Sequence, residues 1–310
     1  MKSIATLTMN PTIDVSYDVA KVRHTHKMRT DNEWYAPGGG GINVARVFVR
    51  LGGNARCYYL SGGATGPALD GLVDLHQLVR TRIRIEQATR VASAVLEHDT
   101  GKEYRFTPQG PHIHEHEWQE CLDRLAETDC GYLVLSGSLP PGVPDDYYAR
   151  VIRLLRDRGI EFVLDSSGEA LRHGVEEGGI LLLKPSQGEL QQLVGRELGS
   201  IAEIEAAAMG IVASGKARLV AVTMGHEGAI LAGPDGAVFV PALDIVARSA
   251  VGAGDSFVAA MVHALACGKD EVEAFRFGVA SGSAAVLHPG TRLAQPDDIK
   301  RLFAQVAVPA

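Results

Sequence analysis

Along the 310 residues, short runs that are apolar at almost every position alternate with longer segments in which apolar residues recur every three or four positions. Runs of the first kind, YLVLS at 132–136 and ILLLK at 180–184 among them, predict strands covered on both faces. The second kind predicts the amphipathic helices that cover them. Strands are expected at 4–8, 56–60, 132–136, 162–165, 180–183 and 219–223, and helices at 42–51, 66–75, 115–126, 145–158, 201–214, 254–266, 270–287 and 297–307. This alternation of βα units predicts an α/β fold: a three-layer α/β/α core around a mainly parallel sheet.

Two stretches, 13–36 and 81–107, break the rhythm, alternating like strands with no helix between them. TRIRI at 81–85 sets Arg82 and Arg84 on one face, the solvent side of a lid strand, and the isoleucines on the other; 95–106 reads as a hairpin turning at 99–102. Together they predict a small discontinuous β-sheet lid, 13–36 plus 81–107, on a core made of 1–12, 37–80 and 108–310. A hairpin over 230–240, turning at 234–236, belongs to the core. So small a sheet is marginal alone in water. Its apolar positions Ile83, Ile85, Val91, Val95 and Phe106 therefore predict a homodimer paired through the lid.

Charge narrows the function. With 30 basic and 37 acidic residues the net charge is −7, against the broad positive surface that nucleic acid or an anionic membrane requires. Any phosphate must be held locally. No apolar run approaches the ~18 residues of a membrane span, the first residues lack the apolar stretch of a secretion signal, and the four cysteines are scattered without a CxxC pair. A cytoplasmic protein with reduced thiols is expected.

Glycine is in surplus, at 35 residues, and two clusters of it point to chemistry. VGAGDSF at 251–257 leads straight into an apolar-periodic helix. Gly252 and Gly254 allow a tight turn that aims amides at one point, where the helix N-terminus adds positive potential, so an anion fits. Asp255, in the first turn, would reach a hydroxyl brought to that anion; equally, an acidic residue at a helix start needs no ligand. PGGGGINVAR at 37–46 sets four glycines before a helix, so that a polyhydroxyl ligand could approach bare backbone near Asn43. A flexible linker shares that composition but rarely runs into an amphipathic helix.

Three other patterns point elsewhere. GIVASGKA at 210–217 approaches a phosphate loop, but Ala217 stands where Ser or Thr should meet magnesium and a helix precedes it, so Gly215 reads as a helix C-cap. His112, His114 and His116 share a face if extended but lack a fourth metal ligand, and read as a solvated loop. The first strand runs into Asn10-Pro11-Thr12, not a G-x-G-x-x-G turn, which speaks against a dinucleotide-binding dehydrogenase.

The two glycine motifs, in this order and roughly two hundred residues apart, resemble the signature regions of the ribokinase-like sugar kinases, the PfkB family. LVLSGSLPPGV at 133–143, VLDSSGEAL at 163–171, LKPSQGEL at 183–190 and HPGTR at 288–292 look like that family's phosphofructokinase branch, and the likeness runs from Thr6 to about Asp298. The resemblance implies a ribokinase-like core with a β lid and ATP-dependent phosphorylation of the C1 hydroxyl of fructose 6-phosphate. Fructose 1-phosphate and tagatose 6-phosphate are neighbouring substrates, and a non-catalytic sugar or nucleotide sensor is the alternative of another class. It implies that Asp255 is the catalytic base, with Gly252, Ala253 and Gly254 as the anion hole. Asp14, Gly39, Gly40, Asn43 and Ser138 then meet the sugar, and Arg90 meets its phosphate, helped by Lys27, Arg29 and Arg105. Lys184, Ser186, Thr223, Gly225, Gly228 and Ser283 serve ATP, and Glu189 holds Mg2+ through water. Ser249, Val251, Ala285, Gly290 and Arg292 surround a K+ site.

Two positions depart from the family pattern. Ser186 replaces the Asn of Asn-x-x-Glu, which predicts altered magnesium affinity, and His288 offers imidazole, a poor potassium ligand, where an amide is usual. Phosphoryl transfer needs in-line positioning and charge stabilisation more than covalent chemistry. The helix N-terminus should lower the pKa of Asp255, which would orient the hydroxyl and accept its proton late.

Overall fold

The computed structural model describes residues 2–309. In chain order its elements are β1 (Ile4–Thr8), β2 (Thr12–Val19), β3 (Asp31–Gly38), α1 (Gly40–Arg50), β4 (Ala55–Gly62), α2 (Gly66–Asp74), β5 (Val79–Ile85), β6 (Arg90–Glu97) and β7 (Glu103–Phe106). Next come α3 (Glu115–Ala126), β8 (Tyr132–Ser136), α4 (Tyr147–Leu155), β9 (Glu161–Asp165), α5 (Gly168–Glu177), β10 (Ile180–Leu183), α6 (Gln187–Val194), α7 (Ile201–Ala213) and β11 (Ala217–Thr223). The last are β12 (Gly228–Gly233), β13 (Gly236–Pro241), α8 (Ala253–Ala266), α9 (Glu271–Ala285) and α10 (Pro296–Phe303).

Nine strands form one sheet in the order β13-β12-β11-β10-β9-β8-β1-β4-β5. All neighbours are parallel except β11 with β12 and β12 with β13, the hairpin that closes one edge. Successive side chains feed opposite layers: Leu133 and Leu135 pack with α3 to α7, whereas Val134 packs with α1, α2, α8, α9 and α10. Such two-sided burial is why these strands carry no polar alternation. From β1 the order runs to β4 on one side and to β8 on the other, so the loops after β1 and β8 diverge and open a crevice at the strands' carboxyl ends.

The second sheet, β3-β2-β6-β7, is the lid. Its register places Asp14 beside Ala36 and Ala92, and Ala94 beside Arg105, on one face; Val15 with Tyr35 and Ser93, Ser93 with Phe106, and Ile13 with Val91 lie on the other. The expected lid was too large. Residues 81–85 lie in β5, an edge strand of the main sheet paired with β4, and Ile83 and Ile85 are buried against α3. Arg82 pairs with Asp70 of α2 at 2.8 Å and is not the solvent face of a lid strand. Alternation reports a strand but not the sheet it joins.

α5 and α6 escaped the sequence pattern: α6 contributes only Leu190 to the interior, and two of the four residues α5 buries, Ala170 and Gly174, are too small to mark an apolar stripe. α10 stops at Phe303, short of the expected 307, and the 145–158 helix ends as a separate 3-10 turn at Arg156–Arg158. Gly215 follows α7 at φ 71°, a helix stop and not a phosphate loop. The His116 ring stacks on that of His114, which His112 meets edge-on, and among the described residues no group of three or more His, Cys, Asp or Glu could hold a metal. Among the described residues no helix is long and apolar enough to cross a membrane.

Candidate functional site

Asn10 follows β1, Ser138 follows β8, Asp165 ends β9, Lys184 follows β10 and Thr223 ends β11, so the polar residues of interest gather at the carboxyl edge of the parallel sheet. The N-terminus of α8 enters the same edge. Gly252 caps it at φ 71°, and a Cβ there would lie 2.2 Å from Leu293 Cδ2, so the turn needs glycine. The first-turn N–H groups of a helix have no partner within it; here Ala253 N–H donates to the Ala250 carbonyl at 3.5 Å, and those of Gly254 and Asp255 have no partner among the described residues. Two clefts meet at this turn. One, of about 180 Å³, lies under the lid and is lined by Asp14, Gly39, Gly40, Asn43, Arg90, Arg105, Gly252 and Asp255 among others. The other, of about 620 Å³ and largely apolar, is lined by Thr223, Gly225, Gly228, Ala253, Gly254, Phe257, Val279 and Ser283 among others.

Asp255 stands where they join. Its Oδ2 accepts a hydrogen bond from Asn43 Nδ2 at 2.9 Å. Burial raises its pKa to about 7, Asp165 and Asp14 adding to the rise while the Asn43 bond and Lys184 oppose it. The expectation of a lowered value is overturned: desolvation and two carboxylates outweigh the helix end. Asp14 is likewise pushed up by burial, to about 6, against the pull of Arg46, Arg90 and Arg105. Behind the turn the Lys184 ammonium lies 3.0 Å from Asp165, and a Cβ added to Gly254 would lie 3.5 Å from its Nζ. Burial works against its charge, but Asp165, Glu189 and Asp255 together hold its pKa above the ordinary value.

The four glycines at 38–41, of which Gly40 and Gly41 already belong to α1, are packed, not flexible. A Cβ on Gly38 would lie 2.1 Å from Asp14 Oδ2 and one on Gly40 would lie 2.1 Å from Ser136 Oγ, so lid and sheet close onto bare backbone. Arg90 lines the smaller cleft, yet its guanidinium donates to the carbonyls of Asn10 at 2.6 Å, Pro108 at 2.9 Å and Pro11 at 3.3 Å. Arg105 lines the same cleft, is exposed, and makes no hydrogen bond or ion pair among the described residues, so it is the freer cation for a ligand phosphate. Ser138 accepts from Asn10 Nδ2 at 3.3 Å and stands outside the cleft's lining. Lys27 and Arg29 lie in the exposed loop between β2 and β3, away from both clefts of this chain.

Ser186 and Glu189 form a capping box at the start of α6. The Ser186 amide and hydroxyl donate to Glu189 Oε2 at 2.7 and 2.8 Å, and the Glu189 amide donates to Ser186 Oγ at 3.3 Å. Half-buried Glu189 thus keeps Oε1 for another partner. Magnesium holds several waters and needs only one or two carboxylates beside substrate phosphates, so this donor set fits it. The potassium set fares worse. The Arg292 carbonyl accepts from Arg50 Nη1 at 2.8 Å, so a guanidinium already occupies one side of it, and the Arg292 side chain stacks on Trp34 of the lid. Arg292 therefore leaves that set. His288 Nε2 lies 2.9 Å from Asp298, and Ser249 Oγ donates to Glu103 of β7 at 3.1 Å.

Four residues of this region escaped sequence reasoning: Thr12 and Thr291 in the smaller cleft, Asp165 beside Lys184, and fully buried Arg46 under Asn43. Arg46 alone had a legible signal, an arginine on the apolar face of a helix.

The pfkB family carbohydrate kinase profile matches residues 6–298. The chain belongs to that family of carbohydrate kinases. It is 41% identical over 308 residues to the ATP-dependent 6-phosphofructokinase isozyme 2 of Mycobacterium tuberculosis (strain ATCC 25618 / H37Rv), covering 99% of this chain and 90% of that protein. It is 39% identical to the isozyme 2 of Escherichia coli (strain K12), covering 99% and 100%. The crystal structure of phosphofructokinase-2 from Escherichia coli in complex with fructose-6-phosphate matches with a TM-score of 0.92 at 38% identity, covering 98% and 99%.

Proposed function

We propose that this kinase transfers the γ-phosphoryl group of ATP to the C1 hydroxyl of fructose 6-phosphate, giving fructose 1,6-bisphosphate and ADP. One observation carries the reading: a small polar cleft and a larger apolar one meet at the N-terminus of α8, with Asp255 on the polar side and the amides of Gly252, Ala253 and Gly254 at the junction. Asp14, Asn43 and the backbone of Gly39 and Gly40 meet the sugar hydroxyls. Arg105, with Arg90 behind it, holds the C6 phosphate. The apolar walls of the larger cleft suit a nucleotide base, whose triphosphate then runs along Lys184 towards α8.

Asp255 accepts the C1 proton as the C1 oxygen attacks the γ-phosphorus. The bond from that phosphorus to the β–γ bridging oxygen breaks, and ADP leaves with its electron pair. Negative charge on the transferring oxygens meets the amides and the buried Lys184 ammonium, held against Asp165 before the reaction. Glu189 would hold magnesium through its free oxygen and waters, and the metal, when bound, neutralises charge on the β- and γ-phosphates. A monovalent cation near Ser249, Val251, Ala285 and Gly290 would rest on backbone carbonyls.

The chain acts as a homodimer through the lid's outer face, with Lys27 and Arg29 of one copy turned to the other's cleft. Cys57, Cys121 and Cys130 are buried and Cys267 is exposed, all as free thiols, which suits a reducing cytoplasm.

ADP release is measured with fructose 6-phosphate, fructose 1-phosphate, tagatose 6-phosphate and fructose as acceptors. The first is expected to give the highest kcat/KM. No ADP release with any of them would favour the sensor, and a preference for fructose would overturn the arginine assignment.

A further inference from the structure

Arg46 takes no part in the chemistry above, yet it is the largest fully buried side chain, 1% exposed, on α1 one turn beyond Asn43. The helix is buried all round from Gly41 to Phe48, and among these residues only Asn43 and Arg46 are polar. Methionine or leucine would serve packing there without the cost of desolvating a charge. That cost is visible: burial draws the Arg46 pKa down to about 9, Arg50 adding to the drop and Asp14 and Asp255 opposing it.

Its hydrogen bonds reach three separate pieces of chain around the smaller cleft, two of them, Asn43 and Thr291, in its lining. Nη1 donates to the Pro37 carbonyl of β3 at 2.9 Å and to Asn43 Oδ1 at 3.0 Å, and Nη2 donates to the Thr291 carbonyl at 3.4 Å. A guanidinium has donors only, so the Asn43 atom it meets is the oxygen, and the amide nitrogen must face Asp255 Oδ2 at 2.9 Å. With the amide reversed, its oxygen would face an ionised carboxylate and repel it.

We propose that Arg46 is a positioning residue for phosphoryl transfer: it locks the Asn43 amide in the orientation that donates to Asp255, and so leaves the second carboxylate oxygen aimed at the substrate hydroxyl. This rests on the kinase reading, in which Asp255 is the base. The other charged groups facing Asp255 are Asp165 of β9, Lys184 after β10 and Asp14 of β2, and Arg46 itself attracts both Asp14 and Asp255.

The test is a double-mutant cycle on the full-length enzyme with ATP and fructose 6-phosphate. Arg46→Met is expected to lower kcat about 10- to 100-fold, the scale of a small misplacement of a reacting group, while KM for the sugar stays within about threefold. The rising limb of its pH profile should move to higher pH, because ionised Asp255 loses its donor. Added to Asn43→Ala, the same change should cost less than about threefold more, since two residues acting through one bond do not multiply. Arg46→Lys, which keeps the charge, should recover part of kcat.

A residue that merely holds the fold would lower Tm, leave the pH limb of the folded enzyme in place and multiply independently onto Asn43→Ala; that result overturns the proposal. If Arg46→Met does not fold, Arg46→Lys carries the cycle under the same criteria. A wild-type enzyme without turnover would overturn the kinase reading and this one together, whereas turnover with independent multiplication overturns Arg46 alone.

Discussion

Asp255 combines two properties that usually conflict: it sits on the positive end of a helix, and its pKa is raised to about 7 by burial and neighbouring carboxylates. A base with a pKa near working pH takes up a proton more readily than an ordinary carboxylate does. Only the ionised form can accept the proton, so kcat/KM for fructose 6-phosphate should fall as pH drops below about 7. A profile from pH 5 to 9 checks this, and a limb near the ordinary carboxylate range would contradict it. Asp255→Asn should cost kcat about 10²- to 10⁴-fold, with little change in sugar affinity. The same raised pKa means that the folded state holds a proton which the unfolded chain releases, so this group lowers stability as pH climbs from about 4 to 7. Asp255→Asn should therefore melt about 1–3 °C higher than the parent at pH 8, the gap narrowing towards pH 5 in a thermal scan. Arg105→Ala should raise KM for fructose 6-phosphate about 10- to 100-fold, the worth of a charge-assisted bond to phosphate, while kcat for fructose stays unchanged.

At the scale of elements, α6 and α8 both present their N-termini to the sheet's carboxyl edge but close them differently. α8 leaves the amides of Gly254 and Asp255 open because glycine at 252 has no side chain to fill them, whereas α6 fills its own with the Ser186–Glu189 box. That box makes Ser186 a structural partner of Glu189, which separates their contributions. Ser186→Ala should lose about 1 kcal/mol of stability and shift the magnesium requirement little, because both bonds of the hydroxyl go but the carboxylate and the Ser186 amide that holds it stay. Glu189→Gln should raise the magnesium needed for half-maximal rate more than about tenfold. Magnesium titrations and chemical denaturation of both variants separate the two effects.

For the whole molecule the open question lies on the lid's outer face, where Tyr35 is 51%, Val91 41% and Phe106 60% exposed. A four-stranded sheet with aromatic groups in water on one side is a surface that a second copy would cover. Light scattering at micromolar concentration should give twice the chain mass, and Tyr35→Glu should shift it towards the monomer; a monomeric parent would count against the pairing. The lid is also where reading the sequence went astray. The alternation of TRIRI at 81–85 identified a strand correctly, but β5 completes the core sheet, and the outer face is built instead from β3, β6 and β7.

The sequence by itself determined the βα order, the double burial of the central strands and the glycine turn before α8, because each follows from local periodicity or from a backbone angle that only glycine adopts easily. It also carried the family likeness, since those motifs are contiguous. Only the tertiary structure decided which strands share a sheet, how far burial lifts Asp255, which arginine is free to meet a phosphate and that Arg46 grips Asn43. Each of these depends on groups far apart in the chain, such as Asn43 and Asp255, whose spacing and shared desolvation exist only once the sheet edge, the lid and α8 have closed around one cleft.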